Sequence, residues 1–263
     1  VSPFMPYSRQ DKTDHIRSSI GSKMIADVLE KAGVTRLMTI DLHSSSIQGF
    51  YNIPVIHLNG NKVFIDYIKS LDLEDICIVA PDQGAVKRAS DFCKAFPDAT
   101  FAMINKRRIK PNEVHSMELV GDVKDKNIII VDDMADTGGT LKKAAGLMME
   151  SGAKSVRAVA THGVLSGMAY DNINSSVLSE LIVSDSISKP GISDKIKYIS
   201  CSKLISKSIT ALVQKKSIHE LNLVYMRPTT VWIMLLLATI LLPIFFSTWF
   251  IILILMGQIQ NII

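Results

Sequence analysis

Cysteine is scarce: Cys77, Cys93 and Cys201 are the only three in 263 residues. They are widely spaced, odd in number and form no CxxC pair, which excludes a disulfide framework and a zinc site as organising features. That usage fits a reducing, cytosolic compartment. A surplus of one charge is also lacking, since 29 Lys and Arg against 25 Asp and Glu leave only +4. The basic residues are spread along the chain apart from a short cluster at Lys106–Lys110, so the balance gives no reason to expect nucleic acid as a partner. Tandem repeats and low-complexity linkers are missing. No charged n-region followed by an apolar stretch opens the chain, so a secretory leader is not expected. The opening, VSPFMPYSRQDK, predicts a strand running into a loop and implies that an N-terminal portion is missing.

The apolar share, 48%, is that of a globular protein, and the length allows one large core or two ordinary domains. Helices and strands alternate. Ser18 to Ala32 carries helical spacing, with Ile20, Met24, Ile25, Val28 and Leu29 on one stripe. Buried strands are predicted at RLMTIDLH, ICIVAPD, FAMIN, NIIIVDD, SVRAVATHG, SELIVSD and KIKYIS. Helices are predicted through AVKRASDFCKAF, LKKAAGLMMESGA and Ser202 to about Val213. Strands written as unbroken apolar runs between helices imply parallel sheets covered on both faces. Ligands bind beyond the carboxyl ends of such strands, which directs attention to Asp41 and His43, Asp82, Asn105–Arg108, Asp132–Thr140 and Thr161–Gly163. A domain boundary is expected near Asn59 to Asp66.

The stretch VDDMADTGGT follows an apolar strand and opens a helix. Free amides of Asp136–Thr140 at a helix start attract an anion, and glycines let the backbone approach it closely. Asp132 and Asp133 stand just ahead, where carboxylates accept hydrogen bonds from sugar hydroxyls or meet a bound cation. Together these features predict a sugar phosphate. The bland alternative is a plain helix cap with acids favoured by the dipole. GxxxxGKS is absent, which excludes a P-loop.

The same string resembles the PRPP-binding signature of the type I phosphoribosyltransferase fold. PYSRQDK, DLHSSSIQGFYNIPV, APDQGAVKRA, NKRRIKPNEV and LVGDVKDKNIIIVDDMADTGGT, in that order, are together similar to the ribose-phosphate pyrophosphokinase, or PRPP synthetase, family from Val1 to roughly Met226. The resemblance implies an α/β chain of two phosphoribosyltransferase-like domains with parallel sheets flanked by helices. Residues 1–60 would be a partial first domain, 61–226 the second, and 227–263 an apolar tail. It implies diphosphoryl transfer from ATP to ribose 5-phosphate with Mg2+, in a homo-oligomer, for nucleotide biosynthesis.

Carried over residue by residue, Arg9, Gln10, Asp14 and His43 bind ATP, and His43 and Asp82 hold the magnesium of MgATP, with Asp41 as a metal ligand or its neighbour. Lys106 and Arg108 lie on a basic loop that closes over the reacting phosphates, where cations offset developing charge. Asp82, Gln83 and Gly84 receive the pyrophosphate. Asp132 and Asp133 bind ribose hydroxyls, and the 5-phosphate rests on Asp136, Thr137, Gly138, Gly139 and Thr140. Ser46 stands where the family usually has glutamine, and Thr13 and His15 where it has lysines, which puts nucleotide regulation in doubt; Ala85 stands where a second glycine is usual, and is expected to constrain the pyrophosphate loop. His57, His115, His162 and His219 have no metal-ligand spacing and are read as structural.

Two other readings stand beside this one. A PRPP-consuming phosphoribosyltransferase shares the loop but not Arg9-Gln10 or the Asp41–Tyr51 string, and a non-catalytic regulatory subunit would bind nucleotide without turnover. Val231–Met256 is free of charge and long enough for the roughly 20 residues of a membrane span. Lys215, Lys216 and Arg227 precede it, and Trp232 and Trp249 stand near its ends, as an anchor would have them. A wrongly joined gene segment explains that tail equally well.

Overall fold

Seven strands form the main sheet, and their sequences explain why it is buried on both faces. They are β3 (Ile76–Ala80), β4 (Thr100–Lys110), β5 (Glu113–Val120), β6 (Asn127–Ala135), β7 (Ser155–Gly163), β8 (Glu180–Ser184) and β9 (Ile196–Ile199). A smaller sheet pairs β1 (Leu37–Ile40) with β2 (Val55–Leu58) in parallel, from Leu37 opposite Val55 to Ile40 opposite Leu58. This computed structural model describes residues 1–13, 17–110, 113–188, 191 and 193–218, without the side chains of 106–110 and 113–116.

The large sheet runs in the order β5-β4-β3-β6-β7-β8-β9. All neighbours are parallel except β4 and β5. Successive strand residues point to opposite faces, and β6 shows the result. Ile128 and Ile130 face a cluster with Leu141, Ala144, Met148 and Ile173, which come from α4 (Gly139–Glu150) and α5 (Ala169–Asn174). Ile129 and Val131 face Phe64, Ile68, Ala89 and Phe92, from α2 (Asn61–Ser70) and α3 (Val86–Cys93). The small sheet is covered likewise. Leu37 packs with Ala26 of α1 (Gly21–Lys31) and with Ile47, while Met38, Ile40 and Leu58 pack with Leu204 of α6 (Ser202–Val213). The last described helix thus returns to the first sheet.

The sheets meet at strand ends. His162, near the end of β7, donates from Nε2 to the carbonyls of Ile40 (3.0 Å) and Asp41 (3.1 Å). Phe4 packs edge-on against the same imidazole at 5.0 Å. Burial keeps the pKa of His162 below its usual value despite the nearby Asp41, so the ring serves as a neutral donor.

Three expectations from sequence change. The opening residues are not a strand: Ser2 and Pro3 exchange only two backbone bonds with Met38 and Ile40, and Pro3 and Pro6 have no N–H to extend the ladder. The basic stretch 106–110 is not a loop but the outer half of β4. Pairing of β4 with β3 stops at Met103, whereas pairing with β5 continues to Lys110 opposite Glu113. A two-stranded ribbon therefore projects past the sheet's carboxyl edge, with register shifts around Arg108. The antiparallel β5 was also unforeseen. Among the described residues no helix is long and apolar enough to cross a membrane, and the segment 231–256 lies outside them.

Candidate active site at the carboxyl edge of the strands

The turn after β6 is built for close backbone approach. Gly138 has φ +73°, a left-handed conformation, and a methyl group there would meet Ile173 Cδ1 at 3.2 Å and the Ala169 carbonyl at 3.3 Å. Gly138 is also the N-cap of α4, and no side chain caps the helix. The first-turn amides are thus without a side-chain acceptor at the spot where an anion fits. Two distant residues brace the turn: Asn172 Nδ2 donates to the Thr137 carbonyl at 2.9 Å, and the Ser166 hydroxyl donates to Asp136 Oδ1. Thr137 and Thr140 are exposed, and a methyl on Gly139 would meet only Thr137 Oγ1 at 3.8 Å and Asn172 Nδ2 at 3.9 Å.

Ahead of the turn, Asp132 and Asp133 have opposite electrostatics. Burial, with Asp133 adjacent and Asp82 nearby, raises the pKa of Asp132 well above the usual carboxylate range. Burial alone would also raise Asp133, but a hydrogen bond from His43 and the guanidinium of Arg88 hold it down to about 2. His43 Nδ1 lies 2.8 Å from Asp133 Oδ2, and that bond raises the imidazole's pKa against the effect of burial. Arg9 Nη1 reaches Asp136 Oδ2 at 2.6 Å although its side chain is 57% exposed. Residues expected on the nucleotide side, Arg9 and His43, therefore touch Asp136 and Asp133 of the ribose-phosphate string.

Asp82 caps the turn of Gln83–Ala85 through Oδ1, which accepts from the Ala85 amide at 3.2 Å. Gln83 and Gly84 are exposed, and Ala85 is buried against α3. Ala85 lies at φ −83°, so the alanine found in place of a glycine brings no backbone strain. Gln10 holds its loop through backbone bonds to Tyr7 and Ser22. Lys106 and Arg108 stand on the projecting ribbon, and Asp14 lies outside the described residues.

Asp41, expected as a metal ligand or its neighbour, is enclosed by protein donors. Its carboxylate accepts from Arg88 Nη1 at 2.7 Å, Thr161 Oγ1 at 2.5 Å and the Gly60 amide. Among the described residues no three His, Cys, Asp or Glu side chains form a metal-holding group. Magnesium commonly takes one or two carboxylates and completes its shell with phosphate oxygens and water; Asp82, a partly exposed carboxylate at a strand end, suits that donor set, whereas the Asp41 carboxylate is already engaged.

Arg88, Ser166 and Asn172 were not singled out from sequence, and Thr161 was marked only as a strand end. Arg88 left one signal: it lies beside Ala89 and one turn before Phe92 on the buried side of α3, where a cation needs an acid partner. Ser166 and Asn172 become relevant only through contacts 30 and 35 residues away in sequence, and nothing local marks them.

A sheet parallel in all but its β4–β5 pairing, carrying an acid pair and a glycine turn at its carboxyl edge and joined to a second parallel sheet, defines a phosphoribosyl-type α/β protein. The family model for the N-terminal domain of ribose phosphate pyrophosphokinase matches residues 1–33, and that for the phosphoribosyl synthetase-associated domain matches residues 98–222. Ribose-phosphate pyrophosphokinase of Porphyromonas gingivalis is 44% identical over 222 residues, which are 84% of this chain and 71% of the relative. Ribose-phosphate pyrophosphokinase 3 of Saccharomyces cerevisiae is 44% identical over 225 residues, 84% of this chain and 70% of the relative. The crystal structure of phosphoribosylpyrophosphate synthetase from Mycobacterium smegmatis superposes with a TM-score of 0.74 at 36% identity, covering 81% of this chain and 70% of that one. The chain belongs to the ribose-phosphate pyrophosphokinase family.

Proposed function

We propose that the chain transfers the diphosphoryl group of ATP to the C1 hydroxyl of ribose 5-phosphate, giving PRPP and AMP for nucleotide synthesis. The observation that carries this reading is the double contact of Arg9 with Asp136 and His43 with Asp133. A site that only consumed PRPP would need the acid pair and the glycine turn, but not a nucleotide-side arginine and histidine meeting them.

The hydroxyl oxygen bonds to the β-phosphorus as the bond from that phosphorus to the α-bridging oxygen breaks. AMP leaves with the electron pair, and the hydroxyl proton passes to solvent. The amides of Asp136–Thr140 hold the 5-phosphate, and Asp132 and Asp133 accept from the ribose hydroxyls, fixing C1 toward the nucleotide. Arg9, Gln10 and Asp14 hold ATP, and Asp82, Gln83 and Gly84 take the pyrophosphate portion. Lys106 and Arg108 neutralise charge on the transferring group. Bound magnesium would be held by His43, Asp82 and the phosphates, and supplies further charge neutralisation. Positioning and electrostatics suffice for such transfer, with no covalent enzyme intermediate.

Residues 1–60 supply the nucleotide side and 61–226 the ribose-phosphate side of this reading, in a homo-oligomer whose mass light scattering would measure. The test is AMP and PRPP formation from ATP and ribose 5-phosphate. Lys106→Ala is expected to lower turnover by roughly 10²- to 10³-fold. Unchanged turnover sinks the role given to Lys106, and binding of both substrates by the wild type without turnover favours a regulatory subunit.

A further inference from the structure

We propose that Asp41 and Arg88 are a positioning pair, which sets the spacing of the His43 loop and the Asp82 turn, and that Asp41 is not a metal ligand. The inference rests on the functional reading above, in which His43 and Asp82 meet the metal-bound nucleotide.

Asp41 is the first residue beyond β1, and its φ of +38° lies in the left-handed region, where a side chain is strained. Such a conformation persists only where the surroundings over-determine it, and here every polar group of the residue is held. Its amide donates to the Leu58 carbonyl at 3.0 Å, and its carbonyl accepts from His162 Nε2 at 3.1 Å. Its carboxylate has the three donors Arg88, Thr161 and Gly60. The group is 7% exposed, and even a methyl on Gly60 would strike the carboxylate and the Thr161 hydroxyl. A hydrated cation has no room in that cage.

What the cage does follows from where its members lead. Asp41 stands two residues before His43. Arg88 is in the first turn of α3, which grows directly out of the turn that Asp82 caps. The Arg88 carbonyl accepts from Asn61 Nδ2 at 3.1 Å, which ties α3 to the start of α2. One buried ion pair therefore joins the segment carrying His43 to the segment carrying Asp82, with the end of β7 as a third wall. The same guanidinium lies within electrostatic reach of Asp132 and Asp133.

The test compares Asp41→Asn, Arg88→Gln and the double variant with the wild-type chain. Asparagine tolerates the left-handed backbone, and the double variant leaves no unpaired buried charge, so folding is protected. Calorimetry reads ATP affinity with and without magnesium and ribose 5-phosphate affinity, and a melting curve reads stability. Each single variant is expected to lower the magnesium-dependent gain in ATP affinity by roughly 10- to 100-fold, as loss of residues that orient metal ligands does. Metal-free ATP and ribose 5-phosphate affinities should move less than about threefold, and the double variant should be no worse than the singles because the two act as one unit. Loss of the gain in Asp41→Asn with retention or strengthening in Arg88→Gln would make Asp41 a ligand and overturn the proposal. A parallel fall of all three affinities with the melting midpoint would reduce the pair to a structural strut, which also overturns it. Absence of any magnesium-dependent ATP binding in the wild type refutes the functional reading itself, and this inference falls with it.

Discussion

Asp132 and Asp133 are neighbours in one strand, yet stability and chemistry pull them apart. A carboxyl whose folded pKa is raised costs stability at every pH above its unfolded value, because the buried site disfavours the charged form. Asp132 is in that position. Asp132→Asn should therefore melt higher at neutral pH, by about 1 kcal/mol, the usual trade between stability and a functional site, while ribose 5-phosphate binds at least roughly tenfold more weakly. A lower melting point would mean that Asp132 is paid back by contacts other than those described. Asp133 has the opposite sign. Its folded pKa of about 2 lies below the unfolded value of about 3.9, so its contribution is complete above about pH 4 and is lost as pH falls toward 2. An acid titration monitored by circular dichroism should lose roughly 2 kcal/mol across that window. In Asp133→Asn the loss should be shallower, and in His43→Ala, where the folded pKa moves up toward the unfolded value, the loss should be smaller and be complete at a higher pH.

At the scale of elements, the turn between β6 and α4 offers an internally controlled test. Gly138→Ala puts a methyl on a left-handed residue against Ile173 and the Ala169 carbonyl, and should cost about 1–2 kcal/mol and weaken ribose 5-phosphate binding. Gly139→Ala meets nothing closer than 3.8 Å, and its stability should change by less than about 0.5 kcal/mol. Equal losses in two denaturant titrations would show that the glycines serve flexibility in general and not this one conformation. The same turn explains what could be read from sequence. Contiguous signals were legible: the acids and glycines of Asp132–Thr140 adjoin one another, and β7 and α6 have the predicted bounds because apolar pattern and local structure coincide there. Elements defined by a partner were not. The charged outer half of β4 and the half-polar β5 are strands because each supplies the other's hydrogen bonds, and α5, six residues long, is too short for a period to show. Helix α2 was hidden at an expected domain boundary, although Phe64, Ile65 and Ile68 carry a helical stripe. The partners of Asp41 were hidden for the same reason, since Thr161 and Arg88 are 120 and 47 residues away.

For the whole molecule, the two ends of the large sheet do different work. Every site residue described above gathers at the carboxyl edge, whereas a polar cluster without chemistry sits at the amino edge. There Arg157, the third residue of β7, donates from Nε to Glu180 Oε1 at 2.9 Å, and the Tyr67 hydroxyl donates to Glu180 Oε2 at 2.7 Å. Lys197 of β9 lies 4.2 Å over the Tyr67 ring, so the group ties α2 to three adjacent strands. Arg157 and Glu180 are only 18% and 17% exposed, and removing one partner from such a pair leaves a charge poorly solvated. Glu180→Ala should therefore destabilise the chain by about 2–4 kcal/mol, seen as a lower denaturation midpoint with an unchanged slope. Ribose 5-phosphate affinity should stay within about twofold, and the loss should add to the gain from Asp132→Asn within about 0.5 kcal/mol, as independent sites do. A fall in affinity, or clear non-additivity, would mean that β7 transmits strain from its amino end to Thr161 and His162, and that the separation of scaffold from site is false.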